Sequence, residues 1–236
     1  MCPDEVWVSW LVVERMDFRL EPLLEPSDLD RWRGALLSDQ DNWRAGADTA
    51  GWHARTVKSN RQLTRSCALH QELASELTGL LMAAPLLQSL AFPRRIHGVL
   101  FSRTGPGEGY GRHVDNAWMG NGRSDLSFSV ALTDPSSYQG GDLVLETSAG
   151  ERRVRLPAGH AVVYPSTLLH QVEPVMSGER LMAVGWIESR IRRADQRELL
   201  FELDTARRLL FQQQGKGDVF DLISRSYSNL LRLWDA

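Results

Sequence analysis

The segment from Arg103 to Asn116 holds the residues whose types and spacing are best suited to chemistry. It contains four glycines, a tyrosine and a His-x-Asp pair, His113 and Asp115. Alternate side chains of an extended strand face the same way, so both would point to one face and Val114 to the other. Such a pair can bind a metal ion, although pairs of this kind also arise by chance. A third ligand is therefore needed to make the site specific.

Three histidines in the strand-favouring part of the chain could supply that ligand: His97, His160 and His170. His170 stands out because it lies near the start of a β-favouring run and is followed ten residues later by Arg180. Two histidines and one carboxylate leave half of an octahedral shell open, and this facial triad is typical of non-haem Fe(II) oxygenases. The open positions would accept an oxo-acid and dioxygen.

The elements that must position these residues follow from hydrophobic periodicity. A helix is predicted near 28–38, and a second between a Ser66 cap and Pro85. The region 39–65 reads as loop-rich, with one short strand at Ala54–Val57. Two amphipathic helices are predicted after Ser189.

Short strands dominate the middle of the chain, with turn signals between them. The predicted strands are Ile96–Ser102, Gly111–Asp115, Ser124–Leu132, Asp142–Glu146, Arg152–Leu156, His160–Tyr164, Leu168–Glu173 and Arg180–Glu188. This pattern predicts an α+β protein with a double-stranded β-helix, or jelly-roll, core. We expect an N-terminal extension and helical support region at 1–93, the core at 94–190, and C-terminal helices packing on or beside it at 191–236.

Bulk properties limit the function classes. The 236 residues are 42% hydrophobic and 24% charged, which is ordinary for a globular protein. A net charge of −3 gives no reason to expect nucleic acid as a partner. Cys2 and Cys67 imply no disulfide framework, which favours a cytoplasmic location. The apolar run Val6–Val13 is too short to span a bilayer, so no membrane association is expected. Met16 is a second plausible first residue.

Several spans together resemble a known family in order, spacing and flanking residues. They are Tyr110–Ala117, Arg123–Ser127, Gly140–Val144, Leu156–Gly159, Tyr164–Ser166, Leu169–His170, Pro174–Val175 with Gly178 and Arg180, and Trp186–Ile187 with Leu200–Asp204. The chain resembles the PKHD-type hydroxylases, bacterial Fe(II)- and 2-oxoglutarate-dependent dioxygenases of the prolyl-4-hydroxylase-like group. The likeness covers roughly residues 20–235.

The resemblance implies roles for individual residues. His113, Asp115 and His170 match the iron ligands, and Arg180 matches the basic residue that holds the distal carboxylate of 2-oxoglutarate in a fork. The implied reaction consumes 2-oxoglutarate and O2, releases succinate and carbon dioxide, and hydroxylates a substrate, with ascorbate as a further expected cofactor. Related halogenases have a small residue at the position of Asp115, so its carboxylate favours hydroxylation.

Two positions depart from the family pattern. Thr104 stands where relatives usually have a tyrosine that touches the co-substrate. Tyr110, Tyr164 or water would supply the missing hydrogen bond. His160 stands where relatives have an aspartate, and we interpret it as a turn or strand-start residue. Trp186 could line the pocket, but a core tryptophan is the commoner case.

The other histidines are given structural roles, and two further groups of residues could have either a functional or a structural role. His53, His70 and His97 are interpreted as structural histidines, not ligands. Three residues, Asn116, Arg123 and Asp125, would hydrogen-bond to the ligands or serve the scaffold, and the two interpretations are evenly balanced. The loop after the first two ligands, with Trp118, Met119 and Asn121, could form a lid or substrate wall.

The resemblance leaves the substrate open between a prolyl-containing peptide and a small amino-acid-like molecule, and it leaves the oligomeric state undefined. One alternative is a non-catalytic metal- or ligand-binding jelly roll. A hydrolytic zinc site is a further alternative, which is disfavoured by Arg180 and by the lack of a sequence-evident general base beside the triad.

Overall fold

Two antiparallel β-sheets form the centre of the molecule. The computed structural model describes residues 18–20, 22–49, 51–52 and 54–235, so the expectations for residues 1–15 and His53 lie outside the described residues. The strands are β1 (Phe18–Leu20), β2 (Trp43–Ala45), β3 (Lys58–Ser59), β4 (Arg61–Leu63), β5 (Pro93–Thr104), β6 (Gly109–His113), β7 (Trp118–Met119), β8 (Gly122–Arg123), β9 (Leu126–Ala131), β10 (Gln139–Gly140), β11 (Leu143–Thr147), β12 (Gly150–Val154), β13 (Ala161–Pro165), β14 (His170–Val172), β15 (Val175–Ser177) and β16 (Arg180–Ser189). Each of the eight predicted segments overlaps a strand, which confirms that prediction.

The larger sheet has seven strands in the order β1-β13-β9-β16-β5-β4-β2. The smaller has five, in the order β12-β11-β14-β6-β3. Two short pairs, β10 with β15 and β7 with β8, lie outside these sheets. The chain crosses from one sheet to the other between β3 and β4, at Asn60, whose side-chain amide donates to the Ser102 hydroxyl at 2.7 Å.

Five α-helices lie in the described part of the chain. They are α1 (Pro26–Ser38), α2 (Ala68–Ala83), α3 (Pro85–Ala91), α4 (Ala194–Gln214) and α5 (Asp218–Trp234). The two predicted C-terminal helices are therefore present; α4 packs against α3, and α5 packs against α4. No single described helix is long and apolar enough to cross a membrane, and α2 and α3 reach that length only as a pair bent by 74°.

Two apolar clusters cover the two faces of the larger sheet. Side chains alternate along a strand, so in β13 Val163 joins the cluster under α1 and α2, whereas Val162 and Tyr164 join the cluster that faces the smaller sheet. Both faces of the central strands are therefore buried, which explains why β13 and most of β16 are nearly continuous apolar runs, whereas β9 has two buried serines on the face of the site. Residues of both sheets line the cavity of the site described below.

The strand predicted at Ala54–Val57 is wrong, because this segment forms a 3₁₀ turn. The Arg55 amide donates to the Gly51 carbonyl at 3.0 Å, which closes a helical turn instead of an extended chain. The extended conformation begins at Lys58, where the backbone can pair with β6 at Tyr110. Pairing with a distant strand, which local propensity does not reveal, fixes this boundary.

The ends of α2 differ in detail from the prediction. Cys67, not Ser66, is the N-cap, and its Sγ accepts from the His70 amide at 3.4 Å. The helix ends at Ala83 as expected, yet Pro85 also opens α3. Proline is well suited to a first helical position, because its missing N–H would have no partner there.

The side chain of Leu77 in α2 is fully buried, with 0% exposure, in the cluster under the larger sheet. We expect Leu77→Ala to lower the free energy of unfolding by about 2–5 kcal/mol, because it removes buried apolar surface and leaves a cavity. Chemical denaturation followed by circular dichroism measures the change. The same substitution at Leu222, which is 54% exposed on α5, serves as the control and should cost less than about 1 kcal/mol. Equal losses at the two positions would contradict this assignment of the core.

Candidate metal centre

His113 and His170 face each other across the pairing of two strands. His113 is the last residue of β6, His170 is the first of β14, and the two are direct partners in the antiparallel register. Asp115 lies two residues beyond the end of β6. One potential ligand atom from each of the three side chains lies within 4.8 Å of the others. The structure therefore brings together the predicted triad.

Asp115 lies beyond the assigned strand, which ends at His113. Its carboxylate still lies with the histidines, whereas Val114 between them is 39% exposed, as the predicted alternation requires. The chain turns away from the sheet here, since the Ser124 hydroxyl donates to the Asn116 carbonyl and the Ser124 amide donates to the Ala117 carbonyl at 3.1 Å. This turn returns Asp115 to the histidines, with its Oδ2 lying 3.9 Å from Nε2 of His170.

The two histidines present the same ring nitrogen to the centre. Nδ1 of His113 lies 2.8 Å from the Gly111 carbonyl, and Nδ1 of His170 lies 3.0 Å from the Leu168 carbonyl. A carbonyl only accepts, so each Nδ1 carries the proton and donates it. Each Nε2 then keeps its lone pair for a metal, as is usual for metal-binding histidines. Two imidazoles and one carboxylate fit Fe(II).

A pair of serines orients the carboxylate. The Ser127 hydroxyl donates to Oδ2 of Asp115 at 2.6 Å, and the Ser127 and Ser166 hydroxyl oxygens are 2.7 Å apart. Sequence reasoning did not single out this contact, because the two serines lie on and beside strands far from Asp115 in the chain. A serine on a strand next to the site was the available signal, and it is a weak one.

Burial, together with the smaller effect of the neighbouring His170, lowers the pKa of His113 to about 4. The imidazole of His113 is therefore neutral near pH 7, which is the form that binds a metal. The Tyr110 ring stacks on the His113 ring, with centroids 3.6 Å apart and planes 20° apart. This contact fixes the orientation of the ligand.

Arg180 lies at the start of β16, directly opposite Thr104 of β5. Its guanidinium is buried and hydrogen-bonded to Tyr138, and burial lowers its pKa. None of the ion pairs among the described residues includes Arg180, since the nearby Asp142 pairs with Arg155 at 2.7 Å. A buried cation without a carboxylate partner is expensive unless a ligand supplies one.

The four predicted co-substrate residues line one cavity together with the triad: Arg180, Thr104, Tyr110 and Tyr164. Tyr164 bonds to Ser129, and its ring meets the His170 ring edge-on at 5.3 Å between centroids. Burial raises the pKa of both Tyr110 and Tyr164, so both hydroxyls stay protonated at neutral pH. They are available as hydrogen-bond donors.

The remaining described histidines lie outside the triad. Nε2 of His70 and of His97 lie 3.0 and 2.8 Å from backbone carbonyls, and Nδ1 of His160 lies 3.2 Å from another. His160 directly precedes β13, as its interpretation as a strand-start residue requires. These contacts agree with the structural roles expected for all three.

The structure gives Arg123 and Asp125 a structural role. Arg123 pairs with Asp125 at 3.3 Å, and Asp125 accepts from the Ser189 amide at 2.9 Å, so this pair ties a loop to β16 and is part of the scaffold.

Trp186 lines the cavity, contrary to the commoner case of a core tryptophan. Lys58 also lines it. Its Nζ lies 4.9 Å from the Tyr110 ring centroid, and burial lowers its pKa to about 8. Sequence reasoning missed Lys58.

Two family models match the core strands and the C-terminal helices of this chain. Residues 99–188 match the family model of the 2OG-Fe(II) oxygenase superfamily, and residues 195–235 match that of the PKHD-type hydroxylase C-terminal domain. A PKHD-type hydroxylase from Synechococcus elongatus is 47% identical over 223 residues, which cover 93% of this chain and 99% of the relative.

A PKHD-type hydroxylase from Prochlorococcus marinus is 47% identical over 211 residues, covering 89% of this chain and 96% of the relative. Among solved structures, a Pseudomonas putida prolyl-4-hydroxylase aligns with a TM-score of 0.52 and 21% identity, covering 79% of this chain and 98% of that one. The likeness to this solved structure concerns the fold alone.

The Ser127 hydrogen bond gives a test of the metal centre. We expect Ser127→Ala to weaken Fe(II) binding about 10- to 100-fold, because Asp115 loses the group that orients it. Anaerobic titration with Fe(II) measures the affinity. Ser226→Ala, on the exposed surface of α5, serves as the control and should leave the affinity unchanged. Wild-type affinity in a folded Ser127→Ala protein would contradict the assignment of Asp115 as an oriented ligand.

Proposed function

Because the chain belongs to the PKHD-type hydroxylases, within the 2OG-Fe(II) oxygenase superfamily, we propose that it hydroxylates a substrate with Fe(II), 2-oxoglutarate and O2. The observation that carries this proposal is the triad of His113, Asp115 and His170 in the same cavity as the unpaired guanidinium of Arg180. A facial triad and a buried cation are the two features that a bound keto acid requires.

The chain's own residues divide the work of binding. His113, Asp115 and His170 would hold Fe(II), and the metal when bound supplies the oxidative decarboxylation of 2-oxoglutarate to succinate that is coupled to hydroxylation. Arg180 would bind the distal carboxylate of the keto acid, and Tyr138 keeps the guanidinium in place.

Hydrogen bonds to the co-substrate would come from hydroxyl groups on both sheets. Thr104 lies opposite Arg180 in the larger sheet, so its short side chain can reach a group bound by the guanidinium. Tyr164 on β13 and Tyr110 on β6 supply protonated phenols in the same cavity. The three hydroxyls together would do what a single tyrosine does in relatives.

The arrangement of the two sheets supports a double-stranded β-helix, with the two ligand histidines on neighbouring strands of the smaller sheet. We further propose ascorbate as a reductant that keeps the iron in its Fe(II) state. The substrate would be a small amino-acid-like molecule or a peptide.

Loss of a ligand histidine should abolish the reaction. We expect His113→Ala to remove 2-oxoglutarate turnover with Fe(II) and ascorbate, because only two ligands are left. Succinate formation measures the loss. His160→Ala serves as the matched control, since His160 bonds to the Ala158 carbonyl away from the triad, and it should retain turnover. Full turnover by His113→Ala would contradict the ligand assignment. Absent turnover and no visible charge-transfer band in the wild-type protein would favour the non-catalytic binding alternative.

Replacing the guanidinium of Arg180 should weaken 2-oxoglutarate binding more than it slows the chemical step. We expect Arg180→Lys to raise the KM for 2-oxoglutarate about 10- to 100-fold with a smaller change in kcat, because the ammonium keeps the charge but loses the paired hydrogen bonds. Steady-state kinetics with varied 2-oxoglutarate measures the split. Arg153→Lys, on the exposed β12, is the control. An unchanged KM would place the distal carboxylate elsewhere.

A further inference from the structure

Lys58 is chemically unusual in this chain. The protein has 27 lysines and arginines, and only Lys58 and Lys216 are lysines. Lys216 is exposed between α4 and α5 and pairs with Asp221 at 2.7 Å. Lys58 instead lines the cavity of the metal centre. A compact ammonium binds a carboxylate as a point charge, without the planar geometry that a guanidinium requires.

Within the described residues, Lys58 has more N–H donors than hydrogen-bond acceptors. Nζ donates to Oγ1 of Thr49 at 3.3 Å, which accounts for one of its three N–H groups. Among the described residues, Lys216 forms an ion pair and Lys58 does not. The Tyr110 ring, 4.9 Å from Nζ, contributes only a cation–π contact. Within the described residues, the other N–H groups of Lys58 have no hydrogen-bond acceptor and are open to a ligand.

The charges of the loaded cavity also leave Lys58 without a counter-ion. Besides the ligand histidines, the charged residues that line the cavity are Lys58, Arg65, Asp115 and Arg180. When Fe(II) and 2-oxoglutarate are bound, the two charges of the metal offset those of the keto acid, and Arg180 offsets Asp115. Arg65 is solvent-exposed, whereas Lys58 is half-buried. The loaded site therefore has an uncompensated positive charge at Lys58.

Trp186 provides a second unused donor in the same cavity. Trp186 is 7% exposed, and its indole Nε1 has no hydrogen-bond partner in the part of the chain that the structure describes. Trp186 lies opposite Ser127 in the register of β16 with β9, and Ser127 bonds to Asp115. Lys58 lies opposite Tyr110, which stacks on His113. The two donors thus approach the triad from the Asp115 side and from the His113 side.

We propose that Lys58 binds a carboxylate of the primary substrate and that the indole N–H of Trp186 donates to the same substrate, so that this hydroxylase acts on carboxylate-bearing, amino-acid-like molecules. This inference rests on the proposed function and narrows its substrate class. The carboxylate could belong to the backbone of a free amino-acid derivative or to an acidic side chain of a peptide. Arg180, on the larger sheet, is reserved for the co-substrate, whereas Lys58 comes from the edge strand of the smaller sheet.

The small number of lysines allows a direct binding test. Reductive methylation with ¹³C-formaldehyde labels Lys58, Lys216 and the N-terminal amine as methylammonium groups that keep their charge, and the Lys58→Met and Lys216→Met variants assign the two lysine signals. The labelled protein is loaded with Zn(II), which does not react with oxygen, and with saturating 2-oxoglutarate. The probes are the N-acetyl derivatives of the twenty amino acids, the matching neutral amides, and tripeptides that carry an acidic side chain and an amidated C-terminus.

We expect the Lys58 signal to shift saturably with at least one carboxylate probe and not with its amide, while the Lys216 signal stays in place. A response to N-acetyl amino acids identifies a backbone carboxylate, and a response to the tripeptides alone identifies an acidic side chain. An equal response to the amides, or no response to any carboxylate, would overturn the proposal. So would a Lys58 signal that responds to 2-oxoglutarate alone.

Turnover of the Fe(II) protein provides a second readout. The probe that shifts Lys58 should stimulate 2-oxoglutarate consumption, and Lys58→Met should raise its half-maximal concentration about 10- to 100-fold. Lys58→Arg, which keeps the charge, should recover most of this loss, and Trp186→Phe should cause a smaller one. Lys216→Met is the control and should match the wild type. Equal half-maximal concentrations in Lys58→Met and the wild type would overturn the role of Lys58.

Failure of this inference can be told apart from failure of the proposed function. If the wild-type protein forms the charge-transfer band with Fe(II) and 2-oxoglutarate but the Lys58 signal does not shift with any carboxylate probe, only the substrate inference is wrong. If the band and basal turnover are both absent, the proposed function itself is wrong.

Discussion

The pairing of β6 with β14 is the constraint on which the rest of the site depends. It sets His113 directly opposite His170, so the separation of the two rings is fixed by the backbone and not by flexible side chains. The carbonyls of Gly111 and Leu168 then fix the tautomers, because each lies two residues before its histidine and accepts from Nδ1. A slip of one residue in this register would send one imidazole to the opposite face of the sheet. The larger sheet supplies two further groups of the cavity: Ser127, which donates to Asp115, and Arg180, the cation proposed to bind the keto acid.

Rigidity of the larger sheet explains how a buried arginine is tolerated there. Both faces of β9, β13 and β16 are covered by apolar side chains, so the position of Arg180 at the start of β16 is held by extensive packing. Folding must take the guanidinium out of water without giving it a carboxylate, which is a cost to stability. Binding of 2-oxoglutarate would offset that cost, so the cavity is organised for its ligand before the ligand arrives.

Much of this arrangement was accessible from the sequence, and the reasons are local. The alternation of apolar residues and turn signals located the strands of the core. The spacing of His113 and Asp115 indicated a metal pair, and the family resemblance singled out His170 as the third ligand. What sequence could not supply was set by contacts between distant segments. The 3₁₀ turn at Ala54–Val57 and the strand at Lys58–Ser59 depend on β6, which lies about fifty residues later. The inward orientation of Trp186 depends likewise on its register with β9.

Lys58 shows why the region before the core belongs to the site. The short strands β3 and β4 join the smaller and the larger sheet respectively, and Asn60 between them bonds to Ser102. This crossing ties one edge of the cavity to both sheets and fixes the backbone that carries Lys58. The buried cation Arg180, proposed to bind the co-substrate, thus comes from the last core strand, and the ammonium of Lys58 comes from a segment preceding the core. A division of this kind lets the N-terminal segment change the substrate that is accepted while the triad and Arg180 keep the same oxidative chemistry.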